Sequence, residues 1–153
     1  SCHLSVLDGD GILVVERAEA PISRTFSVKT GTSFSMTETA SGRVLLTFQA
    51  AAERAALIAR ISETPGAEPS GESLEHRLNA IADRGYEESV SDAVQGVVDL
   101  SCPILGHAGT ALAALTIPFL HMRGNKMSQG DALAILRACA DRISILLGGR
   151  SRS

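Results

Sequence analysis

A single acidic residue, Asp99, interrupts an apolar run, Val97 to Ile104, that otherwise has the composition of a buried strand. A buried carboxylate needs a partner, because an unpaired charge in an apolar environment is strongly destabilising. Two interpretations are open: Asp99 contacts a bound ligand, or it pairs with a backbone amide or a nearby arginine in an ordinary core. By the two-residue period of a strand, Asp99 shares one face with Ser101 and Pro103, so chemistry is expected on that face.

A second strand should follow a glycine-containing turn and cover the apolar run from Ala111 to Ile117. If Leu105 pairs with Thr110, Asp99 lies across from Thr116. A carboxylate and a hydroxyl group would then meet on one face of an antiparallel pair.

A candidate anion site begins at Thr39, where the segment Thr39-Ala40-Ser41-Gly42-Arg43 has the composition of a helix start. The free backbone N–H groups of such a start can bind a carboxylate or a phosphate. The alternative is that the helix merely caps itself. The segment is not a nucleotide-binding P-loop, because the GxxxxGK[ST] order is absent.

Histidines suggest a second chemistry, metal binding. His76 is expected on a polar helix face and His107 in a turn, so both should be solvated. His3 and His121 stand at the ends of strands that an antiparallel sheet could bring beside Asp99. The resulting hypothesis is that His3, Asp99 and His121 bind zinc or another divalent ion, although no diagnostic spacing supports it.

Composition limits the other function classes. The 153 residues are 44% hydrophobic, which is enough for one domain with its own core. A net charge of −3 without a dense Lys/Arg cluster disfavours a nucleic-acid surface. No run approaches the roughly 20 apolar residues of a membrane span, so no membrane association and a cytoplasmic location are expected. Three cysteines without CxxC spacing indicate reduced thiols, and no GxSxG or HExxH motif predicts an enzyme.

The elements that must position these groups follow from periodicity. Strands are predicted over His3–Asp8, Ile12–Ala18 and Thr25–Thr30, with a hairpin at Asp8-Gly9-Asp10-Gly11. A helical pattern covers Thr39 to Ile61 as one helix or two, with its apolar positions at Val44, Leu45, Phe48, Ala52, Ala55, Ala56 and Ile58. A loop over residues 64–71 precedes a helix with the stripe Leu74, Leu78, Ile81 and Ala82, closed by Gly85. Ser128 should cap a last helix whose inward residues are Leu133, Leu136, Ala140, Ile143 and Leu147. This order favours an α+β fold with an antiparallel sheet.

Several segments, in this order, resemble the effector-binding domain of the IclR family of bacterial transcription regulators. They are Cys2 to Gly9, Val15-Glu16-Arg17, Ser27 to Gly31, Thr39 to Leu46, Arg84-Gly85-Tyr86 and Gly96 to Pro103. The resemblance covers nearly the whole chain, and its specificity comes from the order and spacing of the segments together.

The resemblance implies a GAF-like α+β fold with about six antiparallel strands flanked by helices, occupying residues 1–149 with a tail at 150–153. It further implies a small-molecule effector and assembly into a homodimer or tetramer. Operator DNA would be bound only through an N-terminal winged helix-turn-helix domain, which this chain is expected to lack. Effector binding would control transcription by changing how the subunits are arranged.

The family's effector pocket can be carried over by position. It implies contacts from Phe34, Ala40, Ser41, Ser89, Val97, Asp99, Thr116 and Pro118. The chain departs from relatives that sense small oxo-acids, because Ser89 replaces a carboxylate, Asp99 adds one and Pro118 removes a hydroxyl group. Asp99 would repel an anion placed directly against it. A hydroxylated, sugar-like or amino-bearing effector fits better, as does an acid bridged to Asp99 by a metal ion.

Two other classes remain as alternatives. A free-standing GAF-type module would sense a ligand or metal without an adjoining DNA-binding domain, and an enzyme would show turnover. The adjoining gene sequence distinguishes a free-standing GAF-type module from a transcription regulator, because only the regulator would encode a DNA-binding domain next to this one.

Overall fold

The fold is built on one six-stranded antiparallel sheet with strand order β3-β2-β1-β6-β5-β4. The computed structural model describes residues 1–21, 28–63, 71–91 and 94–151, without the side chains of 71–73. In chain order the elements are β1 Cys2–Asp8, β2 Gly11–Ala18, β3 Ser33–Ser35, α1 Ala40–Thr47, α2 Ala51–Ser62, α3 Gly71–Arg84, β4 Glu87–Val90, β5 Val97–Leu105, β6 Ala111–Leu120 and α4 Gln129–Leu146. The predicted α+β class with a six-stranded antiparallel sheet is confirmed.

The first hairpin follows its local sequence. Asp8 pairs with Gly11, and Gly9 adopts a φ of 58°, which the two-residue turn between β1 and β2 favours. The third strand does not follow the prediction. Residues 22–27 lie outside the described part of the chain, residues 28–30 are not a strand, and β3 forms instead at Ser33–Ser35. Gly31 lies in a turn with a φ of 86°, and the Gly31 N–H and the Thr32 carbonyl hydrogen-bond to Val14 of β2 just before β3 begins.

The long helical segment is divided at Phe48. The Phe48 carbonyl accepts a hydrogen bond from the Ala111 N–H of β6, and the Gln49 amide donates to the carbonyls of Leu45 and Ala111, so the chain is tied to the sheet there. All eight residues of α1 are buried, whereas in α2 only Leu57 is buried. The predicted apolar positions Ala52, Ala55 and Ala56 are exposed, because they lie on α2 and do not continue the buried face of α1. Residues 64–70 of the predicted loop are outside the described part.

The two later helices match their sequence signals more closely. Leu74, Leu78 and Ile81 are buried along α3, and Gly85 ends the helix with a φ of 87°. Ser128 and Asp131 form a reciprocal capping box at the start of α4.

The last turn of α4 differs from the prediction, because Leu147 is 50% exposed and Ser144 is buried in its place. The Ser144 hydroxyl donates to the Ala140 carbonyl and accepts from the Leu105 N–H at 2.9 Å. A polar anchor to β5 thus replaces the expected apolar contact.

The pairing of β5 with β6 corrects the predicted register. Asp99 lies opposite Pro118, and Thr116 lies opposite Ser101. Leu105 pairs with Ala111 instead of Thr110, which accepts a hydrogen bond from the Gly106 N–H. An irregularity between Ile104 and Leu105 shifts the residues before it by one more position. Asp99 and Thr116 still share a face of the sheet, on neighbouring strands.

The sheet separates two apolar cores. One core joins the sheet to α1, α2 and α3, and the other packs Leu100, Cys102 and Ile104 of β5 against Leu136 and Ala140 of α4. No helix in the described residues has the length and apolar character to cross a membrane.

Candidate functional site

A cavity of about 500 Å³ opens between the N-terminal end of α1, the segment around β3 and one face of the sheet. This volume suits a small organic molecule. Its lining residues are His3, Val28, Lys29, Thr32, Phe34, Ser35, Glu38, Thr39, Ala40, Ser41, Ser89, Val90, Ser91, Asp99 and Thr116. Hydroxyl groups are the commonest polar groups on this wall.

The N-terminus of α1 is fixed at the cavity by a local hydrogen-bond set. Thr39 caps the helix, because its hydroxyl accepts from the Gly42 N–H at 3.1 Å and donates to the Ser35 carbonyl at 2.7 Å. Gly42 permits a close approach to the preceding turn, since a Cβ there would lie 2.4 Å from the Met36 carbonyl oxygen. The helix start can therefore sit tightly against the turn that leads into it.

This capping leaves two backbone donors at the cavity. Within the described part of the chain, the N–H groups of Ala40 and Ser41 have no hydrogen-bond acceptor. Both residues line the cavity and are buried, with exposures of 2% and 5%. The helix dipole adds partial positive charge at this end, so the arrangement suits an anionic group.

The sheet contributes a row of polar residues to the face that looks toward α1. Strand pairing aligns Glu87, Ser101, Thr116 and His3 across β4, β5, β6 and β1. The hydroxyl groups of Ser101 and Thr116 are 2.8 Å apart and form a buried hydrogen bond. Polar residues on this face and apolar residues on the α4 face alternate with the two-residue period of the strands.

A buried ion pair holds β4 against α1. Arg43 Nε donates to Glu87 Oε2 at 2.9 Å, and both side chains are nearly inaccessible. Arg43 Nη2 also donates to the Ser89 hydroxyl at 2.8 Å, and Arg84 of α3 contacts the other Glu87 oxygen. Since Ser89 lines the cavity, this network sets the position of one cavity wall relative to the helix start.

His3 brings an imidazole to the same cavity. It is 8% exposed, and burial lowers its pKa from 6.5 to about 4, so the ring is neutral near pH 7. The ring has no hydrogen-bond partner among the described residues. Asp99 is half-buried on the same face and also lines the cavity.

Most of the residues carried over as effector contacts come together. Those that line the cavity are Phe34, Ala40, Ser41, Ser89, Asp99 and Thr116. Val97 and Pro118 do not. Val97 is completely buried at the start of β5, where Ser91 and Val94 of the preceding connection hydrogen-bond to its backbone.

The three candidate metal ligands are not brought together. His121 is exposed, its Nε2 lies 2.8 Å from Gln129 Oε1, and it does not line the cavity that contains His3 and Asp99. No set of three His, Cys, Asp or Glu side chains within the described ranges is arranged to hold a metal ion. His76 and His107 are exposed, as predicted.

Sequence reasoning missed the two charged residues Lys29 and Glu38, which also line the cavity. Glu38 directly precedes the helix cap, and this proximity to the predicted anion site was a usable signal. No local sequence signal identified Lys29, because it reaches the cavity through tertiary packing. Cys102 faces the opposite core, and burial raises its thiol pKa to about 12, which keeps the thiol protonated at neutral pH.

Comparison with known families gives one match over most of the chain. The family described as "Bacterial transcriptional regulator IclR C-terminal" matches residues 1–145. The transcriptional regulator KdgR of Dickeya chrysanthemi is 24% identical over 149 residues, which are 95% of this chain and 49% of that protein. The chain thus spans about half the length of the curated relatives it matches.

Solved structures share the fold. The C-terminal domain of Escherichia coli KdgR aligns with a TM-score of 0.77 and 24% identity, covering 96% of this chain and 87% of that one. The inducer-binding domain of a PobR double mutant from Acinetobacter, solved with 3-hydroxybenzoic acid, aligns with a TM-score of 0.73 and 21% identity, covering 95% and 87%.

Proposed function

Since this chain belongs to the C-terminal domain family of bacterial IclR-type transcriptional regulators, we propose that its cavity binds a small hydroxylated carboxylate as effector. Binding would regulate transcription by the whole protein, whose DNA contacts would come from a separate N-terminal domain. The observation that carries this proposal is the pair of unbonded amides at Ala40 and Ser41, which face a cavity rich in hydroxyl groups.

Charge on the cavity wall orients the ligand. Asp99 on the sheet disfavours a carboxylate beside it, whereas the amides of Ala40 and Ser41 and the positive end of α1 favour one. Glu38, next to the helix cap, reduces this preference. A ligand with a carboxylate at the helix start can direct its hydroxyl groups toward the sheet. Lys29 adds a positive charge to the same wall.

The PobR structure supports this class of ligand. The compound bound there, 3-hydroxybenzoic acid, carries one carboxylic acid and one hydroxyl group on a small frame. The present cavity offers complementary partners for both groups.

Regulation would follow from a shift between two arrangements of the cavity walls. A ligand that bridges α1 and the sheet favours the arrangement in which the distance between them fits the ligand. The Arg43–Glu87 ion pair links α1 to β4, and Arg84 links the same carboxylate to α3, so a change in that distance would also move β4 and α3. A coupling of about 1 to 3 kcal/mol is typical of allosteric proteins.

We also infer that the domain forms a homodimer or a tetramer through the outer face of α4. Ile135, Ile145 and Leu146 on that helix are 55%, 58% and 83% exposed. Apolar exposure of this kind marks association surfaces. Sedimentation velocity should show Ile135→Glu as a smaller species than the wild type, with Met127→Glu as the exposed control. A monomeric wild type would contradict the inference.

The effector proposal is tested by thermal denaturation with three matched ligand pairs: glycerate and propionate, gluconate and hexanoate, 3-hydroxybenzoate and benzoate. A ligand at 100 times its Kd stabilises the folded state by about 2.7 kcal/mol. For a domain of this size that raises Tm by about 5 to 10 °C. At least one hydroxylated acid should raise Tm by this amount, and the non-hydroxylated acid paired with it should raise Tm less.

Controls separate the other possibilities. Because the hydroxyl groups of the ligand would donate to the Asp99 carboxylate, the shift should shrink in Asp99→Asn but not in the exposed Asp83→Asn. Zinc with and without chelator tests a metal-bridged acid at His3 and Asp99. Stabilisation by sorbitol but by no acid would contradict a carboxylate effector, and a flat response to all compounds would contradict the proposed function.

A further inference from the structure

His3 places a largely buried imidazole on the cavity wall. Its side chain is 8% exposed, and none of the described residues hydrogen-bonds to the ring. In the described part of the chain, Ser5 Oγ is the one fully buried side-chain polar atom without a partner, so the His3 ring nitrogens remain accessible at the cavity wall. A group that enters the cavity can therefore hydrogen-bond to this ring.

Among the described residues, the polar neighbours of His3 do not hydrogen-bond to its ring. Thr116 lies directly opposite His3 on β6, but its hydroxyl is bonded to Ser101 at 2.8 Å. Ser5 follows on the same face of β1 and is completely buried. The His3 ring is therefore directed at the cavity from a strand in the middle of the sheet, a rigid position for recognition.

A neutral imidazole has one donor and one acceptor nitrogen. A hydroxyl group can match either, because it both donates and accepts, whereas a carboxylate only accepts. The imidazole and the amides of Ala40 and Ser41 are thus suited to different groups of one ligand. The amides bind the carboxylate, and the ring binds a hydroxyl group.

We propose that His3 is a specificity-determining residue of this cavity, and that its imidazole hydrogen-bonds a hydroxyl group of the bound acid. This inference rests on the proposed function and adds to it the residue that distinguishes a hydroxylated acid from its deoxy counterpart. A ligand without that hydroxyl group leaves the ring unpaired, which should weaken binding about tenfold to a hundredfold.

The test measures affinities for the same three pairs of acids by isothermal titration calorimetry, in the wild type, His3→Phe and His3→Asn. In the wild type, the hydroxylated acid of at least one pair should bind at least tenfold more tightly than its partner. His3→Phe should reduce that ratio to about one. His3→Asn, whose amide also donates and accepts, should restore part of it.

The outcomes distinguish the two proposals. If wild-type protein discriminates within a pair and His3→Phe keeps the same ratio, the role of His3 is refuted while the proposed function stands. If wild-type protein binds none of the acids, both fail. If every acid binds with the same affinity as its partner, the role of His3 is refuted together with the preference for a hydroxylated ligand, while carboxylate binding in the cavity stands.

A second measurement covers the case in which a His3 variant does not fold. The ¹⁵N resonances of the histidine rings in wild-type protein should respond to the tightest-binding acid of the set, with the largest change at His3. The exposed His76, His107 and His121 are internal controls. An unchanged His3 ring under saturating acid would overturn the inference.

Discussion

Neutralising Glu87 tests whether the buried ion pair with Arg43 holds β4 against α1. The substitution Glu87→Gln keeps the size of the side chain and removes its charge. The Glu87 and Arg43 side chains are 3% and 2% exposed, and Arg84 and Arg77 also lie within salt-bridge distance of the same carboxylate. Gln would leave a buried guanidinium that has lost its charged acceptor.

The expected cost follows from burial. Breaking one side of a buried ion pair typically destabilises a protein by about 3 to 5 kcal/mol. The chain provides a matched control in the pair Arg60–Asp10, which has a similar separation of 3.0 Å but is 54% exposed on both sides. Asp10→Asn should cost less than about 1 kcal/mol, because exposed pairs contribute little.

Urea denaturation of the two variants and the wild type measures both costs. In thermal denaturation of the same proteins, the expected Tm decrease for Glu87→Gln is roughly 6 to 20 °C for a chain of this length, against at most a few degrees for Asp10→Asn. Equal costs for the two substitutions would refute the reasoning, since burial would then have no influence on the pair.

Three further predictions concern individual residues. Because burial lowers the pKa of His3 to about 4, the unfolded chain binds a proton that the folded one excludes, and stability should fall by about 1.4 kcal/mol per pH unit from pH 6.5 toward 4. Denaturation at several pH values should show a weaker dependence in His3→Phe. Ser5→Ala should stabilise by about 1 kcal/mol in urea denaturation, because its buried hydroxyl has no partner in the described structure. Gly42→Ala should cost about 1 to 3 kcal/mol, since its Cβ would meet Met36, whereas Gly130→Ala should be neutral or slightly stabilising, which thermal denaturation would show.

Much of the fold was predictable wherever a local signal sets the structure. Gly9 in a two-residue hairpin, Gly85 at a helix end and the Ser128 cap each act within a few residues, and all three are confirmed. The family resemblance supplied the number of strands, which periodicity alone did not.

The errors have non-local causes. The register of Asp99 depends on an irregularity near Leu105, which changes the partner of every residue before it along β5. Ser144 replaces Leu147 at the end of α4 because a hydrogen bond to a strand distant in sequence determines how the last turn packs. Such contacts leave no periodic pattern in the sequence.

The sequence also predicted only part of the candidate site, because local signals identify some of its residues and non-local contacts place the others. Ala40, Ser41 and Asp99 were identified from a helix-start signal and from a charge in an apolar run, and all three line the cavity. His3 was expected beside Thr116 and Asp99 on an antiparallel sheet but was considered only as a metal ligand, and the pairing of β1 with β6 places it opposite Thr116. The alternation of His3 and Ser5 with apolar neighbours on β1 was the available sign of a polar inner face.

The central claim is that a carboxylate binds at the N-terminus of α1. Amide ¹H–¹⁵N chemical shifts, recorded with and without the hydroxylated acid that raises Tm most, test it directly. The account predicts that the largest changes fall on Ala40 and Ser41, with smaller ones on the strands that line the cavity. Changes concentrated on the outer face of α4, with Ala40 and Ser41 unaffected, would contradict it.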